Sequence, residues 1–161
     1  MFHCIAYQPR YAGEVAALYH LSVHNIDPEI YSLREQEAWA PTPPDLSFWQ
    51  QRLDSTSPWL MMESEQLIGF LEYRAERHYI DCLYVHPLYQ RQGIAGTLLQ
   101  KIEASLTTRT RLQTHASKVA RPFFEQHGFV CQQMNKVQRR GVTLINYSMI
   151  KEVDSLVQVQ A

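Results

Sequence analysis

Cysteine is scarce in this 161-residue sequence: Cys4, Cys82 and Cys131 are the three it has. The number is odd and no two lie close together. They form no C-x-x-C pair, no disulfide framework and no cysteine zinc site. A reducing compartment, the cytoplasm, is the expected location. No run of ~18 apolar residues exists, so no membrane-spanning segment is expected. Met1 to Tyr7 lacks a basic stretch and a long apolar core, so no secretory signal is expected either. Charge of one sign is also missing, with 15 Lys and Arg against 16 Asp and Glu, a net charge of -1. Such a balance argues against a protein built to coat nucleic acid or an anionic membrane. It leaves room for a local basic site that takes a phosphorylated ligand.

What is present is a chain that folds. Apolar residues make up 45% and charged residues 19%, which excludes a disordered chain. A chain of this mass buries about 70% of its unfolded surface, enough for a core without staples. The length fits one domain, assigned to residues 1–151, with a loose tail over 152–161. Phe2 to Tyr7 reads as a strand and Tyr11 to Asn25 as a helix. Ser32-Leu33-Arg34-Glu35 is a capping-box pattern that starts a second helix, and Pro41 to Pro44 stops it. Asp45 or Ser47 caps a third helix through Leu53. Trp59–Glu63, Leu67–Arg74 and Tyr79–His86 read as strands, the first two forming a hairpin. Gly93 to Leu106 is helical, with Ile94, Leu98, Ile102 and Leu106 every four residues. Leu112–His115 is a short strand and Ser117–His127 a helix closed by Gly128. Phe129–Gln138 and Val142–Ile150 pair across Arg139-Arg140-Gly141. This order gives a mixed α/β domain with a central sheet, capped at one end by the helical N-terminal third.

The stretch Leu83 to Leu99 carries the chemistry: strand, proline, polar loop, helix. The loop is Gln90-Arg91-Gln92-Gly93-Ile94-Ala95-Gly96-Thr97. A helix start has unpaired N–H groups and a partial positive charge, so it attracts anions. Gly93, Ala95 and Gly96 let backbone approach a bulky diphosphate, and Arg91 adds a full charge. No lysine follows either glycine, which disfavours a Walker loop. A dinucleotide fingerprint would need glycine at Ala95 and an earlier place in the chain. The remaining template, Q/R-x-x-G-x-G/A, fits Gln90-x-x-Gly93-x-Ala95.

That template resembles the acetyl-CoA loop of the GNAT superfamily of N-acetyltransferases. Ala120-Arg121-Pro122-Phe123-Phe124-Glu125-Gln126-His127-Gly128-Phe129 is similar to the family's A-x-x-F-Y-E-x-x-G-F segment. Arg140-Gly141-Val142 with Asn146-Tyr147-Ser148-Met149 resembles the terminal hairpin of one bacterial subgroup, and Tyr31 to Trp39 its substrate-side helices. The resemblance implies a mostly antiparallel, splayed sheet of about seven strands flanked by helices. It implies acetyl-CoA as co-substrate, held by residues 90–97 and, along the pantetheine arm, by Leu83, Tyr84 and Val85. Ser117, Phe123 and Phe124 fall at cofactor-contacting positions of the family pattern. One N–H near Leu83 or Tyr84 would face the thioester oxygen, a donor typically worth about 3–4 kcal/mol. Two positions depart from the pattern. Phe124 stands where many members have the tyrosine that protonates the departing thiolate, and Ser117 where many have asparagine. Tyr147, Tyr84 or a water are alternative acids.

Candidates for a water-linked base are Asp81, Glu72 and His115. Strict alternation along the strand would put Asp81 on the face of Leu83 and Val85. Each has a plainer reading: a solvated strand-end carboxylate for Asp81, a strand-end imidazole without chemistry for His115, a buried sheet ring for Tyr147. Trp39, Trp49, Tyr31 and Phe48 serve as core, as an aromatic wall for an acceptor, or as both. His20-x-x-x-His24 lacks a third ligand in sequence, so no metal is expected. Arg139-Arg140 reads as a solvated hairpin tip. The first hypothesis is an N-acetyltransferase whose acceptor is a small-molecule, peptide or protein primary amine, attacking directly in a ternary complex; a homodimer is compatible with it. The alternative is a non-catalytic acyl-CoA-binding sensor or interaction module.

Overall fold

The computed structural model describes residues 1–155. Seven strands form one sheet: β1 (Phe2–Ala6), β2 (Trp59–Glu63), β3 (Gln66–Arg74), β4 (Tyr79–Val85), β5 (Thr110–Ser117), β6 (Val130–Arg139) and β7 (Val142–Val153). Their spatial order is β1-β2-β3-β4-β5-β7-β6, and every pairing is antiparallel except β4 with β5. The mixed, mostly antiparallel sheet expected from the sequence is therefore present. Three helices, α1 (Ala12–His24), α2 (Leu33–Trp39) and α3 (Leu46–Thr56), lie in the N-terminal third. Two more, α4 (Ile94–Ser105) and α5 (Arg121–Gln126), follow β4 and β5. Among the described residues no helix is long and apolar enough to cross a membrane.

Local signals start and stop these elements. Ser32 Oγ accepts from the Glu35 N–H at 3.1 Å while Glu35 Oε1 accepts from the Ser32 N–H at 2.9 Å, closing the capping box of α2. Asp45, not Ser47, caps α3, its Oδ1 accepting from the Phe48 N–H at 3.0 Å. Two apolar layers then form. Ile68, Leu71, Ile80, Leu98, Leu99 and Leu112 fill the face covered by α4 and α5. Val15, Leu18, Trp49, Leu53, Leu60 and Phe70 fill the face covered by α1 and α3. Gly69 lets α4 approach the sheet: a Cβ there would meet Ile94 Cγ2 at 3.1 Å and the Tyr84 carbonyl at 3.2 Å.

Four boundaries differ from expectation by more than one residue: α3 runs on to Thr56 instead of Leu53, and three more lie around β5 and β7. β5 is longer than Leu112–His115, because its inward positions Thr110, Thr114 and Ala116 are buried without being large and apolar. Thr114 offsets the burial of its hydroxyl by donating to the Ile80 carbonyl at 3.0 Å. The following helix starts later than Ser117, since Ser117 still pairs in β5 and its Oγ accepts from the Ala120 N–H at 3.0 Å. β7 runs through Val153, Glu152 pairs with Arg111 across it, and Ser155 is buried with its hydroxyl on the Leu106 carbonyl. The rest of the expected tail lies outside the described residues.

Two features of β4 position the site. Between Ile80↔Tyr73 and Cys82↔Glu72 the register shifts, leaving Asp81 as an extra, bulged residue. The only β4–β5 pairs are Tyr79↔Gln113 and Ile80↔Thr114, after which the two strands part.

Candidate active site

The parting leaves one side of β4 unpaired from Asp81 onward. His86 N–H donates to the Ile68 carbonyl of β3 at 2.8 Å. Amides alternate sides along a strand, so Tyr84 also faces β3 while Leu83 and Val85 face the gap. Of the two amides near the middle of the strand, Leu83's is the one open to the gap. A narrow slot of about 60 Å³ fills the gap, walled by Ile80, Leu83, Thr114, Ala116, Ala120 and Phe124 among others. Val85 lies further along β4, toward the loop before α4.

At that end the polar loop meets α4. Gly93 is the N-cap with φ +80°, and Arg91 also has a positive φ of 62°. The first helical hydrogen bond runs from Thr97 N–H to the Gly93 carbonyl at 3.0 Å, so the amides of Ile94, Ala95 and Gly96 have no intrahelical acceptor. Gln90, Arg91, Gln92 and Gly93 are exposed, with no Asp or Glu paired to Arg91 among the described residues. Not every loop residue offers its side chain. Ile94 is a core residue and contributes only its amide. The Thr97 hydroxyl donates back to Gly93 at 2.9 Å. A Cβ on Gly96 would come within 3.1 Å of His127 Nε2, so this glycine serves the packing of α4 on α5.

On the other side of the slot opens a cleft of about 650 Å³. Trp39, Asp81, Cys82, Tyr84, His115 and Ser117 wall both spaces, so slot and cleft adjoin. Aromatic rings make one wall: Tyr19 packs on Trp49 and Tyr84 at 4.7 and 5.0 Å, and Tyr31 on Trp39 at 5.3 Å. Tyr31 and Trp49 are also buried, so core and wall are the same residues here. The Arg139-Arg140 tip is not simply solvated. Both residues line the cleft, and Arg140 donates to the Ala38 carbonyl at the end of α2 at 2.7 Å.

The bulge reverses the expected parity of Asp81. Leu83 and Val85 pack toward α4, whereas Asp81 opens on the cleft with Cys82 and Tyr84. Its Oδ2 accepts from Arg74 Nε at 2.6 Å and lies 3.4 Å from Arg52 Nη2. No sequence motif points to Arg52, on α3. It grips Glu72 through Nε at 3.0 and 3.1 Å and Nη2 at 2.5 Å. Thr56 Oγ1 donates to the same carboxylate at 2.7 Å. Glu72 is fully buried and fully engaged, so it is a structural anion and not a base facing an acceptor.

The remaining candidates separate. His115 stands on the cleft wall with Nδ1 3.1 Å from the Tyr79 hydroxyl. Partial burial lowers its pKa below the usual 6.5, with Asp81 opposing and Arg77 reinforcing, so the imidazole is neutral at pH 7. Tyr79 itself is pushed up to about 12, chiefly by burial. Burial also raises the Tyr84 phenol well above its ordinary value. Tyr147 lines neither slot nor cleft; it sits in β7 beside Ala116, its ring 4.5 Å from the Arg121 guanidinium. Phe124 is a core residue, 3% exposed and edge-on to Phe129, with one side toward the slot. Phe123 is half-buried against His127 at 4.2 Å.

Residues 29–151 match the model of the acetyltransferase (GNAT) domain family. The chain is 34% identical over 143 residues to the uncharacterized N-acetyltransferase YafP of Escherichia coli (strain K12), covering 89% of this chain and 91% of that one. A GCN5-related N-acetyltransferase from Rhodopseudomonas palustris superimposes with a TM-score of 0.84 at 29% identity, over 94% of this chain and 95% of the other. PaiA N-acetyltransferase from Thermoplasma acidophilum, solved in complex with coenzyme A, gives 0.74 at 17% identity over 94% and 99%. The splayed β4 and β5, the open helix start beside them and these likenesses converge: the chain belongs to the GNAT superfamily and is an N-acetyltransferase.

Proposed function

We propose that the protein transfers the acetyl group of acetyl-CoA to a primary amine that enters through the aromatic cleft and attacks directly in a ternary complex. The carrying observation is that slot and cleft share the walls Trp39, Asp81, Cys82, Tyr84, His115 and Ser117, so a thioester held in the slot beside Leu83 lies next to an amine in the cleft. The coenzyme A complex of the PaiA neighbour supports the cofactor. The diphosphate takes the free amides of Ile94, Ala95 and Gly96 with Arg91. The amide-rich arm pairs with the unpaired side of β4 at Leu83 and Val85, near Ser117 and Phe124.

In the reaction the amine nitrogen forms a bond to the thioester carbon, and the carbonyl oxygen gains charge against the Leu83 N–H. Collapse breaks the carbon–sulfur bond and expels the thiolate. If the CoA thiol resembles cysteine, leaving unprotonated at pH 7 costs about 2 kcal/mol, so Phe124 in place of a hydroxyl is tolerable. Burial pushes the Cys82 thiol up, which disfavours a thiolate nucleophile and an acetyl-enzyme at this position. The base matters most for a lysine-like amine, which costs about 4.6 kcal/mol to deprotonate at pH 7 against about 1 for an α-amine. His115, neutral and on the cleft wall, takes the proton through a water. Asp81, whose Oδ2 is held by arginines, acts as a charged wall residue.

Two experiments test this reading. Thiol release from acetyl-CoA over a panel of small amines, peptides and lysine-containing proteins is expected with at least one acceptor. CoA binding without release from any would favour the sensor reading. His115→Gln is expected to lower kcat/KM by ~10²-fold with a lysine-like acceptor, the usual worth of a positioned base. Because the native His115 pKa is lowered, its own inflection in the wild-type profile lies below the ordinary histidine value, on top of the steady fall that protonation of the amine imposes. The variant loses that inflection while its CoA affinity stays the same. An unchanged pH profile would return His115 to a purely structural role.

A further inference from the structure

Among the described residues two groups of ligating side chains stand close together: Glu72, Asp81 and Cys82, which Arg52 contacts, and a second group that no arginine holds. His20 and His24 stand one turn apart on α1, their rings stacked at 4.1 Å and 24°. The third donor that sequence did not supply beside them arrives from α2. Glu37 Oε2 lies 3.6 Å from His24 Nε2, and one ligand atom from each of the three residues falls within 4.8 Å of the other two. His20 also lines the acceptor cleft, so the cluster sits at its mouth.

We propose that His20, His24 and Glu37 form a binding site for a divalent transition metal of the zinc class. Two imidazoles and one carboxylate are a donor set that zinc accepts, with a fourth position left for water or another oxygen. Thr42 holds the Glu37 carboxylate in place, its N–H and hydroxyl donating to Oε1 and Oε2 at 2.6 and 2.9 Å. Oxygens for the fourth position are close. His20 Nε2 lies 2.8 Å from Thr42 Oγ1 and His24 Nε2 lies 2.7 Å from the Ala40 carbonyl. Without metal these contacts tie the Ala40–Thr42 segment to α1. With metal the nitrogens turn to the ion, and the same segment supplies oxygen from beside it. Either way α1 and α2 are fastened across the cleft mouth. The site is independent of the acetyl-transfer reading.

Cobalt(II) titration of the full chain, followed by visible absorption and calorimetry, tests the site. One equivalent is expected to bind with the d–d bands of nitrogen and oxygen ligands and no thiolate charge-transfer band. His20→Ala and Glu37→Gln, each checked for folding by circular dichroism, are expected to weaken binding by at least ~100-fold, the upper end of losses caused even by outer-shell changes. Cys4→Ser and Cys131→Ser are expected to bind as the wild type does. No binding by the wild type, a thiolate band, or affinity unchanged in both folded His20→Ala and Glu37→Gln would overturn the site.

Discussion

A Gly93→Val protein is expected to stay folded and to lose CoA binding. Gly93 caps α4 at φ +80°, and a Cβ built there meets no protein atom within 4 Å. In the proposed complex the space a side chain would enter is the space the diphosphate takes. Left-handed backbone costs an ordinary residue about 1–2 kcal/mol, which a domain of this size withstands. Arg91, in the same loop, already carries that kind of conformation. The expected result by calorimetry is a loss of at least ~100-fold in CoA affinity, about 2.7 kcal/mol, with native circular dichroism. Gly96→Ala is a different experiment, since its Cβ pushes on His127 and not on a ligand. Unchanged affinity in folded Gly93→Val would remove the loop from the cofactor site.

Arg52→Ala is expected to be the most destabilising single change near the cleft. Glu72 is fully buried, and Arg52 is its cationic partner. Removing one side of a buried ion pair strands the other, at a cost of about 3–5 kcal/mol. Denaturant unfolding should show that loss, and Arg52→Ala with Glu72→Leu should recover most of it, because no anion is then left without a partner. A loss below about 1 kcal/mol would mean that Thr56 and water satisfy Glu72 unaided.

The turn into α4 at residues 90–97 is legible as structure because local chemistry fixes it: glycine at a positive φ and a helix start. The capping box at Ser32 and the arrest of α2 at the prolines were legible for the same reason. Asp81 was not. Alternation assumes an unbroken ladder, and the bulge opposite Glu72 and Tyr73 is a property of two strands, invisible in either one. Glu72 reads as a candidate base until Arg52, on a helix packed from elsewhere, closes over it. Tyr147 falls in the hairpin that resembles the family's, yet its place in β7 puts its ring against Arg121 and outside the slot. Arg140 looks like a hairpin tip until the far end of α2 offers its carbonyl. The site proposed at His20 and His24 rests on Glu37, on a different helix. In each case the missing term is a long-range contact that hydrophobic periodicity does not encode.

In the proposed reaction, thioester and amine meet beside Leu83 without a covalent enzyme intermediate. A grid of initial rates with acetyl-CoA and the best acceptor both varied, the product identified by mass as the acetylated amine, decides between this order and an acetyl-enzyme. Double-reciprocal lines that intersect are expected, because both substrates must be bound before the acetyl group moves. Parallel lines, which mark an acetyl-enzyme released from CoA before the amine arrives, would contradict the account, as would CoA release without acetylated amine.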